Sequence, residues 1–167
     1  SVAIIGVGLL GGSLGLAIKA YNPQVRVVGI GHRRSSLDEA LEIGAIDAAS
    51  LDPVEGVVGA ELVILCTPVG LFAELLERIA PALAEGAIVT DVGSTKSGVV
   101  RDAERILRKQ KHFVGSHPIA GSERRGVGFA RADLFSGKTC ILTPTARTRP
   151  DARQRVTKFW QDVGMRT

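Results

Sequence analysis

Three glycines at fixed spacing, Gly6, Gly8 and Gly11, stand between the apolar run Val2 to Ile5 and an apolar stretch of helix length that begins at Leu10. Strand, tight glycine turn and helix in that order commit a chain to open a parallel crossover unit, because the helix must pack back on the sheet it has just left. In the pattern G-x-G-x-x-G each glycine has its own task. Gly6 permits the turn, Gly8 lets the backbone approach a pyrophosphate, and Gly11 lets the helix lie against the strand. The amides of Leu9 and Leu10 lack partners inside the helix and are predicted to face the anion, reinforced by the positive end of the helix dipole. The alternative is a glycine-rich turn that holds no ligand.

The rest of the chain continues the same alternation. Apolar runs of strand length are predicted at Val2 to Ile5, Arg26 to Ile30, Leu62 to Cys66, Ala87 to Thr90, His112 to Val114 and Thr139 to Leu142. Helices are predicted between them at Leu10 to Ala20, Ser36 to Ile43, Leu71 to Leu83, Lys96 to Arg108 and Pro150 to Val163, with Gly44 and Gly86 as C-terminal stops. Continuous apolar strands such as Leu62-Val63-Ile64-Leu65 fit burial on both faces. This pattern specifies an α/β fold of Rossmann type: a doubly wound, mostly parallel sheet forming one dinucleotide-binding domain over residues 1–167. The chain begins at Ser1 and stops just after Gly164-Met165-Arg166-Thr167, where another strand is expected to start, so it reads as a fragment.

The end of the second strand tests which dinucleotide fits. An Asp or Glu there would bind the ribose hydroxyls of NAD. Here the sequence is Gly31-His32-Arg33-Arg34-Ser35-Ser36, with no acid. His32, Arg33, Arg34 and Ser35 are candidates to receive a 2′-phosphate, for which a guanidinium is a bidentate, charge-matched partner. NADP is therefore favoured, with NAD the alternative if the arginines are solvated loop charges.

Three later segments carry polar groups to strand ends. Thr67 and Pro68 close the run Leu62 to Cys66 and are expected beside the cofactor. Asp91-Val92-Gly93-Ser94-Thr95-Lys96 closes the next, with Gly93 on the cofactor side. Ser94 is a candidate either for helix capping or for substrate binding. Lys96 reads as solvated or ion-paired rather than nucleophilic. The run Gly115-Ser116-His117-Pro118-Ile119-Ala120-Gly121-Ser122-Glu123 follows Phe113-Val114, at the predicted end of a strand. An imidazole there can be charged or neutral near pH 7, the following proline biases it to extended backbone, and small neighbours leave room for a ligand. His117 is a candidate proton-handling group, and a hydrogen-bonded surface histidine is the alternative.

Charge and composition narrow the partners. A formal charge of +4 is compatible with nucleic acid, but the basic pairs Arg33-Arg34 and Arg124-Arg125 are short and aromatics are only 4% of the chain. No stacking platform follows from this, and nucleic-acid binding is not expected. Val2 to Leu10 is too short to span a bilayer, so neither a membrane segment nor a signal peptide is expected. Cys66 and Cys140 lie in apolar runs without metal spacing, which points to free thiols in the cytoplasm and to no metal site.

Taken together, Gly6-Val7-Gly8-Leu9-Leu10-Gly11-Gly12-Ser13-Leu14, Asp91-Val92-Gly93-Ser94-Thr95-Lys96 and the His117-Pro118-Ile119-Ala120-Gly121 run resemble the N-terminal domain of the prephenate and arogenate dehydrogenases of tyrosine biosynthesis. The resemblance spans essentially the whole chain. It implies oxidative decarboxylation of prephenate or arogenate with hydride transfer to NADP or NAD. It further implies that His117 takes the proton of the substrate's ring hydroxyl, that Ser94 holds that histidine and hydroxyl near the nicotinamide, and that Glu123 lies on the substrate side of the pocket. It implies a helical C-terminal domain, absent from this chain, that forms a homodimer and adds cationic substrate contacts. Two other readings keep the glycine turn: a non-catalytic NAD(P)-sensing module, and another short NAD(P)-dependent dehydrogenase or reductase.

Overall fold

A computed structural model of the protein describes residues 1–107 and 111–167. In chain order its elements are β1 (Val2–Ile5), α1 (Leu9–Tyr21), β2 (Val27–Ile30), α2 (Arg34–Glu42), β3 (Ala48–Ser50), α3 (Pro53–Gly56), β4 (Leu62–Leu65), α4 (Phe72–Ile79), β5 (Ile88–Asp91), α5 (Ser97–Ile106), β6 (His112–Pro118), β7 (Cys140–Thr143) and α6 (Pro150–Asp162). The strands form one sheet in the order β3-β2-β1-β4-β5-β6-β7. All neighbours run parallel except β6 and β7, which are antiparallel. Winding reverses between β1 and β4, and in open α/β sheets that reversal opens a crevice at the C-terminal strand ends.

Alternation along the strands explains why both faces are covered. Ile4 packs with Leu14, Leu37, Val156 and Trp160, so α1, α2 and α6 cover one face. Ala3 and Ile5 point the other way, into a layer with Leu76, Ile79 and Ala103 from α4 and α5. Ile4, Leu14, Val63, Ile64, Leu76 and Trp160 are completely buried, as near-continuous apolar strands require when helices flank both faces.

Helix ends follow local chemistry. Gly44 ends α2 with a φ of 71°, a left-handed backbone that costs glycine little. The predicted helix Leu71 to Leu83 is shortened, because its flanks Val69–Leu71 and Ala80–Ala82 are 3-10 turns and Pro81 has no amide to continue an α ladder. The helix predicted from Lys96 to Arg108 is observed from Ser97, and Arg108 lies outside the described residues.

Two elements were not anticipated. Strand β3 is only Ala48-Ala49-Ser50, half-buried and paired with β2 alone, so it carries no apolar run to betray it. Helix α3 is a single turn, started by Pro53 and capped by the Asp52 carboxylate, which accepts from the Val54 amide at 2.9 Å. The strand expected near the end is a single parallel bridge between Thr139 and Arg166.

The largest difference concerns β6. The sequence predicts a strand ending at Val114, with the histidine run beyond its end. Pairing with β5 does stop at Val114, opposite Thr90. The strand then continues through Pro118 by taking β7 as an antiparallel partner, with Gly115 opposite Thr143 and His117 opposite Ile141. Small and polar residues hid this extension, because antiparallel pairing near an edge needs no apolar run. Among the described residues no helix is long and apolar enough to cross a membrane.

Candidate active site

The turn between β1 and α1 is built from its glycines. Gly6 has a φ of 99°, and a Cβ on it would lie 2.8 Å from the Cys66 carbonyl carbon and the Thr67 nitrogen. A side chain on Gly11 would run into the Gly6 carbonyl oxygen, so helix and turn touch through bare backbone. Gly8 is different, since nothing lies within 4 Å of where its Cβ would be. Its missing side chain leaves open space for a ligand to approach. Gly8 is also the N-cap of α1, with no side chain capping the first turn and no acid in it. The amides of Leu9 and Leu10 are thus at an uncapped helix start, where an anion is electrostatically favoured.

A cleft of about 270 Å³ opens at this turn, between the ends of β1, β2 and β4. Gly6, Gly8, His32, Arg33, Thr67 and Pro68 line it. Thr67 borders the cleft, and its hydroxyl is buried without a hydrogen-bond partner among the described residues. Uncapped amides and a guanidinium suit a phosphorylated ribose. The four residues predicted after β2 do not all reach it. His32 and Arg33 do, together with Ser36, the second hydroxyl of that stretch. Arg34 instead opens α2 and donates to Asp38 at 2.8 Å along the helix, and Ser35 is exposed beside it.

Along the sheet, β5 ends in a carboxylate. Asp91 is fully buried, and its Oδ2 accepts from the Gly93 amide at 2.9 Å and from the Lys96 ammonium. Its Oδ1 accepts from the Ser116 amide on β6 at 3.1 Å. Burial pushes the Asp91 carboxyl up and the Lys96 ammonium down, while each charge favours the other's ionised form. Lys96 is thus ion-paired, as its sequence context suggests. Gly93 is buried where a Cβ would strike Val69, which keeps this backbone close to the end of β4.

Ser94 is exposed and does not cap α5, whose N-cap is Lys96 without a side-chain cap. No hydrogen bond engages its hydroxyl among the described residues. His117 is half-buried on the antiparallel part of β6. It stands three residues beyond the last pairing with β5, about 10 Å above it at normal strand rise, on the side where parallel strands end. Glu123 lies in the exposed segment 121–126, and no hydrogen bond joins it to Ser94 or His117 among the described residues. The fold therefore gathers the glycine turn and Arg33 in one cleft, and ties the Ser94 loop to the His117 strand through Asp91.

Asp91, Thr90 and Ser116 were not singled out from sequence. Their signal was present in Asp91, an acid closing an apolar strand, which burial permits only when it is paired. Both thiols are held neutral by burial: Cys66, beside the turn, is pushed up, with the Asp91 charge adding, and Cys140 is pushed up to about 12.

The family model described as prephenate dehydrogenase, nucleotide-binding domain, matches residues 14–167. The chain is 38% identical over 157 residues to prephenate dehydrogenase of Bacillus subtilis, covering 93% of this chain and 42% of that protein. Prephenate dehydrogenase from Aquifex aeolicus, solved in complex with hydroxyphenyl propionate and NAD+, is 36% identical with a TM-score of 0.92, over 99% of this chain and 57% of that one. Arogenate dehydrogenase from Synechocystis is 30% identical with a TM-score of 0.91, over 99% and 57%. The chain thus spans about half the length of the relatives it matches.

Proposed function

Because the chain belongs to the prephenate dehydrogenase family, as its nucleotide-binding domain, we propose that the whole protein carries out the oxidative decarboxylation of prephenate or arogenate. One observation carries the reading: β6 raises His117 beyond the end of β5, on the same end of the sheet as the Ser94 loop and the glycine turn. The bound nicotinamide supplies the hydride acceptor. The turn from Gly6 to Gly11 holds the pyrophosphate against the amides of Leu9 and Leu10, and Thr67, Pro68 and Gly93 border the ribose. His117 accepts the ring hydroxyl proton as the carbinol carbon is oxidised and carbon dioxide leaves an aromatic ring. Ser94 orients the hydroxyl and Glu123 guards the substrate side. Aromatisation supplies the driving force, so the protein's share is position and a base.

NADP is the preferred cofactor in this reading. The Aquifex relative was solved with NAD+, but here Gly31-His32-Arg33 follows β2 with no acid, and Arg33 faces the cleft. Assembly as a homodimer and action in the cytoplasm complete the proposal. The test is the absorbance of reduced nicotinamide, using the full-length protein with prephenate or arogenate and NADP or NAD. Reduction with at least one pair is expected. No signal with any pair overturns the enzymatic reading in favour of a sensing module, and equal or tighter NAD binding overturns the cofactor preference.

A further inference from the structure

The reaction proposed above makes no use of Asp91, yet it is the one fully buried charged residue among those described. Its two carboxylate oxygens serve the loop after β5 and the strand β6. Oδ2 holds the amide of Gly93, the residue before Ser94, at 2.9 Å, and Oδ1 holds the amide of Ser116, the residue before His117, at 3.1 Å. The Ser116 hydroxyl returns a bond to the Asp91 carbonyl oxygen at 2.6 Å, and the Thr90 hydroxyl donates to the Val114 carbonyl at 2.7 Å. These bonds sit where regular pairing between β5 and β6 has ended. Without them nothing in the sheet ladder fixes how far the Ser94 loop stands from β6.

We propose that Asp91 is a positioning residue, a buried carboxylate that sets the spacing of Ser94 and His117 by gripping the main-chain amide in front of each. A carboxylate suits the task because both oxygens accept, whereas an amide side chain would turn an N–H toward one of the two donors. Lys96 on Oδ2 balances its charge, which a buried site requires. The idea rests on the reaction proposed above, since it assumes that Ser94 and His117 work on one substrate.

The test is Asp91→Asn in the full-length protein. It is expected to lower kcat by about tenfold or more while cofactor Kd moves by less than about threefold. Added to His117→Asn, the same change is expected to cost less than about threefold, because two residues acting as one unit are not additive. A purely structural role would multiply the two losses, and that result overturns the proposal, as does a kcat for Asp91→Asn close to wild type. If Asp91→Asn does not fold, Ser116→Ala keeps the carboxylate and removes the hydroxyl's bonds to the Asp91 carbonyl and the Thr90 hydroxyl. A several-fold lower kcat at unchanged cofactor Kd is expected there, and an unchanged kcat overturns the idea. Amide hydrogen exchange gives a readout that needs no substrate: Gly93 and Ser116 should exchange faster in Asp91→Asn while β1 and β4 are unaffected, and unchanged exchange at both overturns it. Wild-type protein inactive with every substrate and cofactor pair would overturn the reaction itself, leaving the exchange data to decide the positioning.

Discussion

The chemistry of this molecule is concentrated in a few side chains, and each makes a separable claim. His117→Asn keeps a polar side chain but removes the proposed base, so turnover of the full-length protein should fall by about a hundred- to ten-thousand-fold while nicotinamide binding stays intact. Steady-state rates beside a cofactor titration check both halves. Arg33→Ala should weaken NADP by about 1.5–3 kcal/mol, on the order of ten- to a hundredfold in Kd, and leave NAD nearly unchanged. Equal losses for the two cofactors would remove Arg33 from the 2′-phosphate. The glycine turn was legible in the sequence because Gly6, with its φ of 99°, and Gly11, whose missing side chain lets the Gly6 carbonyl approach, answer to backbone constraints that only glycine meets. Arg33 and Arg34 were indistinguishable there. Only the start of α2 separates them, by committing Arg34 to Asp38.

Among the elements, strands with apolar runs were read almost to the residue, while those held by pairing alone were not. β4 and β1 announce themselves, whereas β3 and the outer half of β6 depend on partners distant in sequence. The junctions between elements also rely on polar clamps. Lys19 at the end of α1 donates to Asp47 at 2.7 Å and to the carbonyls of Pro23 and Val25, while Asp47 accepts from the Val27 amide at 2.7 Å. Helix α1, strand β2 and the approach to β3 are thereby fastened at one point. Burial alone would raise the Asp47 carboxyl, but the Lys19 and Val27 hydrogen bonds and the charges of Lys19 and Arg26 together hold it below the ordinary carboxylate range. A lowered folded value stabilises above the ordinary range and is lost as pH falls through the folded value. Asp47→Asn should therefore cost about 1 kcal/mol near neutrality. In a domain of this size that is a Tm lower by about 2–4 °C. The deficit should close below about pH 4, which thermal melts across pH would show.

At the scale of the whole molecule, two apolar layers sandwich the sheet, and the thiols report on their integrity. Cys140 is buried and Cys66 half-buried, and burial raises both away from the reactive thiolate. A thiol reagent near pH 8 should therefore label the native protein slowly and take up two equivalents once it unfolds; rapid native labelling at either site would contradict the packing described. The connection 119–139 between β6 and β7 belongs to the same architecture, although those strands are antiparallel neighbours that a few residues could join. Val127, Leu134 and Phe135 on it are buried with α1 and α6, Arg131 donates its amide to the Ser13 hydroxyl at 3.0 Å, and Gly12 leaves room for Val127 and Ala130. A redesigner looking for spare length would trim it to a hairpin and open the layer over the first helix. Only the exposed tip, residues 121–126, offers a place to cut or graft, and it carries Glu123. Shortening this protein is thus constrained by the core at the base of its longest connection, and at the tip by the substrate role proposed for Glu123.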